Sequence, residues 1–147
     1  MNRNLTAAEK TIAFATNYIG LQETRGPGHN DFIIKMFADI GHAWVDNDET
    51  AWCSCFVNWV ALKVGLSRSG KLDARSWLNV GEQTSYPRPG DVVVFWRESK
   101  DNWKGHVGIF VGLTSKGDIY TLGGNQQNEV NISVYPSSRL LGFRRLT

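Results

Sequence analysis

Cysteine is scarce in this chain of 147 residues, which has only Cys53 and Cys55. Two residues on a helix are separated by about 200°, so a bridge between them is excluded on geometry and no disulfide framework exists. Charge of one sign is equally scarce. Sixteen Lys and Arg against fourteen Asp and Glu leave +2, and no basic run exceeds Arg144-Arg145. That argues against nucleic acid as a partner, although a mildly basic surface suits an anionic polymer such as a cell wall. No apolar stretch has the length of a membrane span, so no membrane insertion is expected. Met1-Asn2-Arg3-Asn4 runs into a helical pattern without the apolar core of a secretory peptide. The chain is therefore expected to be made in the cytoplasm and carried elsewhere if its target lies elsewhere. Internal repeats and low-complexity tracts are also missing.

What is present suffices for one core. Hydrophobic residues make up 41% of the chain, and six are tryptophan, so we expect a single domain over 1–147. Thr6-Ala7-Ala8-Glu9 has capping-box spacing and starts a helix to about Ile19, which ends at Gly20. Leu21 to Gly28, with Gly26-Pro27-Gly28, reads as a loop. Phe32, Ile33, Met36, Phe37 and Ile40 place a second helix over Asp31 to Ile40. A third runs from near Thr50, as N-cap, to a stop at Gly65, with almost every position apolar. A short helix follows over Asp73 to Val80. After Tyr86-Pro87-Arg88-Pro89-Gly90-Asp91 the period changes. Asp91 to Trp96, His106 to Leu113, Asp118 to Leu122, Val130 to Tyr135 and Leu140 to Arg145 read as five strands. Helices first and strands second make an α+β fold, with N-terminal helices on a C-terminal antiparallel sheet.

Three positions carry chemistry. Cys53 falls in the first turn of the third helix, where free backbone N–H groups and the positive dipole end favour a thiolate. Cys55 points the other way and is assigned to packing, the usual fate of a free cysteine. In Gly105-His106-Val107-Gly108-Ile109-Phe110-Val111-Gly112, His106 shares a strand face with Gly108 and Gly112. The missing side chains leave room for the cysteine helix to approach. Asn125, in Leu122-Gly123-Gly124-Asn125-Gln126-Gln127-Asn128, can accept the imidazole N–H, although a plain Gly-Asn turn fits that stretch as well. His29 and His42 lack such framing. Asp46, Asn47, Asp48 and Glu49 have neither the alternation nor the glycine of a calcium loop, so no metal is assigned.

Asp48-Glu49-Thr50-Ala51-Trp52-Cys53-Ser54-Cys55-Phe56-Val57-Asn58-Trp59, Ala74-Arg75-Ser76-Trp77-Leu78, Arg88-Pro89-Gly90-Asp91-Val92-Val93-Val94-Phe95, Gly105-His106-Val107-Gly108 and Gly123-Gly124-Asn125-Gln126 occur in this order. Together they resemble the CHAP-like branch of the NlpC/P60 superfamily, bacterial and phage cysteine hydrolases of peptidoglycan with a papain-like fold. The resemblance extends over nearly the whole chain. It implies an amidase or endopeptidase that needs no cofactor, with Cys53 as nucleophile, His106 as base and acid, and Asn125 orienting the imidazole. Gln126 is the runner-up for the third role, and the Cys53 N–H is the oxyanion donor.

Two positions depart from the family pattern. Gly123 stands where CHAP members often carry glutamate, and Glu23 where relatives often carry tyrosine. Glu23 is expected to line the cleft and meet an amine, and Trp52 to touch substrate or support the site. The resemblance further implies peptidoglycan as partner and a monomer acting in the periplasm or cell wall. It would be a phage lysin or an injected antibacterial effector, the latter requiring an immunity protein. The alternatives are a silent wall-binding module, with Trp44, Trp52, Trp96 and Trp103 as contacts, and a lipid-acting acyltransferase.

Overall fold

A computed structural model describes residues 4–24, 28–46 and 51–147. The chain opens on α1 (Ala7–Ala15), whose capping box is formed as expected between Thr6 and Glu9. The last turn tightens into a 3₁₀ segment, Thr16–Tyr18, so the α-helix is shorter than its sequence pattern. Helix α2 (Asp31–Asp39) is capped by Asn30, whose side chain accepts from the N–H groups of Phe32 and Ile33. Helix α3 (Cys53–Val64) ends at Gly65 in the left-handed conformation, φ 76°. From Cys53 to Ala61 every residue is buried. A helix apolar all round must lie inside the molecule.

Six strands follow: β1 (Glu82–Thr84), β2 (Val92–Trp96), β3 (Gly105–Leu113), β4 (Ile119–Gln126), β5 (Glu129–Tyr135) and β6 (Leu140–Arg145). They form one antiparallel sheet in the order β1-β6-β2-β3-β4-β5. The strand beyond the expected five is β1, three polar residues long, which gains its pairing from the β6 edge rather than from any pattern of its own. The segment Ala74–Asn79 is a 3₁₀ helix.

The sheet separates two apolar regions. On one face, α3 covers Val92, Val94, Val107, Ile109 and Leu122, with α1 and α2 packed around its far side. On the other, Val93, Phe95, Phe110, Ile119 and Phe143 form a smaller cluster. Alternation along β2 and β3 decides which side each residue serves. Val94 pairs with Val107 towards α3, and Phe95 pairs with His106 away from it.

Candidate active site

The cysteine helix starts later than expected. Its N-cap is Trp52, which makes no side-chain capping bond, so Cys53 is the first helical residue. Thr50, expected as the cap, lies outside the described residues. Trp52 is fully buried and donates its indole N–H to Glu23 at 2.6 Å instead. With no capping bond from Trp52, the Cys53 thiol receives first-turn N–H groups. Burial pushes its pKa up, while the Val107 N–H, the Arg97 cation and the N–H groups of Ser54 and Cys53 all pull it down. Cys55 has no such help: burial raises it, and the charges of Cys53 and Asp39 raise it further. One cysteine is thus surrounded by donors and the other by the apolar core.

The Val107 N–H is open to the thiol because β4 pairs with β3 only from Ile109 onward. His106, the adjacent residue, is completely buried. Its ring stacks on Tyr135 at a centroid distance of 4.9 Å, and Tyr135 stacks in turn on Phe95. The glycines beside His106 do not admit the cysteine helix, contrary to the sequence reading. A Cβ at Gly108 would lie 2.4 Å from Thr121 Cγ2, so β4 fills that gap. The helix comes closest at Gly124, where a Cβ would lie 2.7 Å from the Trp52 ring. Trp52 therefore cannot meet substrate as the structure stands; it packs the site from behind.

The residue that reaches the imidazole is Gln126. Its Oε1 is 2.9 Å from His106 Nε2, and no hydrogen bond joins Asn125 to the ring among the described residues. The cause is a bulge in β4. Gly123 pairs with Asn131 and Gln126 with Glu129, so two residues of β4, Gly124 and Asn125, stand against one of β5, Val130. Asn125 sits at the irregularity with φ 57°, and the extra residue returns Gln126 to the His106 face. A Cβ at Gly123 would lie 2.5 Å from Gln126 Oε1, which explains why no larger residue stands there.

This network fixes the tautomer. Gln126 Nε2 has three acceptors, Thr121 O at 3.1 Å, Asn131 O at 2.9 Å and Asn131 Oδ1 at 2.8 Å. The amide nitrogen is therefore the end turned from the ring, and Oε1 accepts from His106 Nε2–H. Nδ1 is left as the basic nitrogen, 3.3 Å from Arg97 Nη2, which donates to it. Burial lowers the His106 pKa to about 4; Gln126 opposes that shift and Arg97 adds to it. The imidazole is neutral at pH 7, as a general base must be.

An open cleft in front of the thiol is lined by Cys53, Asp73, Arg97, Glu98, Trp103 and Lys104, among others. Trp103 is 71% exposed on its rim. Glu23, expected in the cleft, is outside this lining and spends its carboxylate on Trp52. Arg97, Tyr135 and Asn131 were not legible as site residues. Nothing in the sequence marks them, because a sheet register and a bulge bring them to His106. Among the described residues no cluster of metal-ligating side chains exists, and no helix is long and apolar enough to cross a membrane.

The arrangement agrees with comparisons to known proteins. No curated protein sequence matches the chain. Solved structures do. NlpC1 from Trichomonas vaginalis superposes with a TM-score of 0.61 at 16% identity, over 100% of this chain and 47% of that one. The chain thus spans about half the length of that protein. The P60 domain of an antigen from M. avium paratuberculosis gives 0.55 at 16% identity, covering 96% of this chain and 93% of that one. RipD from Mycobacterium tuberculosis, described as a non-catalytic NlpC/p60 domain protein adapted to peptidoglycan binding, gives 0.54 at 17%, covering 97% and 98%. At such identities these likenesses speak for the fold. The sequence profile of the CHAP domain matches residues 44–125, more than half of the chain and all of the stretch from Trp52 to Asn125. Sharing the NlpC/P60 architecture and matching that profile, the chain belongs to the CHAP domain family.

Proposed function

We propose that this protein hydrolyses an amide bond in the stem peptide or cross-link of peptidoglycan, with Cys53 as nucleophile. The observation that carries the reading is the Cys53 thiol at the start of α3, which receives the N–H of Val107, the residue next in the chain to a neutral, oriented His106. In this reading Nδ1 of His106 takes the thiol proton as sulfur attacks the amide carbonyl. The tetrahedral oxyanion is stabilised by N–H groups at the helix start, and collapse passes the proton to the leaving amine. Water, deprotonated by the same nitrogen, then cleaves the thioester and restores the thiol. Gln126 Oε1 keeps Nε2–H fixed throughout and stabilises the imidazolium. The mildly basic chain suits an anionic wall. Delivery as a phage lysin or an injected effector, with an immunity protein plugging the cleft in the second case, belongs to the same proposal.

A second reading has its own support. His106 is wholly buried and its basic nitrogen is taken by Arg97, and one structural neighbour is described as non-catalytic and peptidoglycan-binding. A wall-binding module would use the exposed Trp103 and Trp44. Mass spectrometry of soluble fragments from purified peptidoglycan separates the two. Hydrolysis predicts new fragments from the wild type and Cys55→Ala and a loss of about 1,000-fold or more in Cys53→Ala. Sedimentation with the wall and no fragments from any of the three supports the binding module.

A further inference from the structure

The Arg97 guanidinium stands in an unusual place. It lines the same cleft as Cys53 and is exposed there, yet it donates to the one nitrogen of His106 that could act as base. Its side-chain partners, the imidazole and the Tyr135 hydroxyl, are both neutral. Among the described residues no carboxylate is paired with it. The neighbouring Glu98 is held by Lys104 at 2.8 Å, whereas Arg145, at the other end of β2, has Asp91 at 2.9 Å. The backbone beyond Arg97 is clamped, since Arg75 donates to the carbonyls of Ser99, Lys100 and Lys104. Movement at this position therefore belongs to the side chain.

A guanidinium presents a planar fork of donors that matches a carboxylate, a far stronger acceptor than an imidazole nitrogen. Nδ1 has a single lone pair, so it cannot accept from Arg97 and take a proton from a thiol at once. We propose that Arg97 is the carboxylate-recognising residue of this cleft, and that a substrate carboxylate near the scissile amide draws it off His106 and so frees the base. Recognition and activation are then one event, because the ligand binds better to the state in which Nδ1 is uncovered. The inference rests on the hydrolase reading for its second half; the carboxylate site does not depend on it.

The test uses a soluble stem tetrapeptide and analogues in which each carboxylate in turn is a carboxamide. Turnover is followed for the wild type, Arg97→Lys and Arg97→Gln, and binding by calorimetry for Cys53→Ala and the double variant Cys53→Ala/Arg97→Gln. One analogue should bind Cys53→Ala about tenfold to a hundredfold more weakly than its parent, the range for a charge-assisted hydrogen bond. The wild type should process that analogue with both a higher KM and a lower kcat. Arg97→Gln should treat parent and analogue alike to within about twofold, and Arg97→Lys should fall between. Discrimination that persists in the Gln variants, or parent and analogues that bind alike to Cys53→Ala, overturns the proposal. If the wild type turns over nothing while carboxylate-selective binding appears and is lost with Arg97, the hydrolase reading falls and the carboxylate site stands. Turnover without selectivity does the reverse.

Discussion

Two polar networks run through the interior, one built on α3 and one on the sheet, and they end in different places. Around Asn58 every bond closes on the protein itself. Its Nδ2 reaches Ser54 O, Ser54 Oγ, Ser69 Oγ and Lys71 O, and its Oδ1 accepts from the Gly70 N–H at 2.8 Å. Ser54 Oγ donates to Lys71 O and accepts from the Trp77 indole. No member of this set titrates near neutral pH, and none opens on the cleft. The second network starts at Asn131, passes through Gln126 to His106, and ends at Arg97, exposed in the cleft. Both are satisfied: among the described residues no buried side-chain polar atom lacks a partner. What separates them is the open end. A network closed on backbone carbonyls holds a loop, whereas one that runs from a buried amide through a titratable ring to a movable cation is poised for chemistry.

The comparison breaks most visibly at Asn58. Truncation to Ala strands the Gly70 N–H, while the Lys71 carbonyl keeps the Ser54 hydroxyl. At about 1–3 kcal/mol for the unsatisfied donor and about 1 kcal/mol for the bonds lost at Ser54 and Lys71, the fold should be destabilised by about 2–4 kcal/mol. Urea unfolding reads this directly. The residual folded protein should retain its activity per molecule, as befits a structural network.

Acid acts on the other network. The folded His106 titrates at about 4 against 6.5 for an unperturbed histidine. Between those values the unfolded chain binds a proton that the folded chain refuses, so stability falls as pH drops through this window. By pH 4 the loss approaches about 3 kcal/mol, and above pH 6.5 the contribution is fully present. Unfolding midpoints for the wild type and His106→Gln across pH 4–7 isolate the effect. The variant should lack the share of the slope that belongs to this residue.

The same contrast separates what the sequence carries from what it hides. The apolar run behind Cys53 and the clean alternation around His106 are local signals, and they place a cysteine at a helix start and a histidine within a sheet. Asn58 stands in that run as a polar residue in an otherwise largely apolar helix, and nothing along the chain names its partners. The identity of the residue on the imidazole was hidden for a specific reason: an alternation argument counts by twos, and the β4 bulge inserts one residue between Gly123 and Gln126. The same shift moves Asn125 off the His106 face. Arg97 was hidden because it meets His106 only through the pairing of β2 with β3, a contact that no spacing along the chain reports. The three-residue β1 exists only because β6 offers it an edge.

The rate of fragment release from peptidoglycan by Gln126→Ala beside Asn125→Ala tests the account most directly. If Gln126 holds the imidazole, its loss should slow release by about tenfold to a hundredfold, the usual effect of removing an orienting partner. Asn125→Ala should stay within about twofold of the wild type. A large loss with Asn125→Ala and near-normal turnover with Gln126→Ala would contradict the assignment of the third position, and with it the tautomer that makes Nδ1 the base.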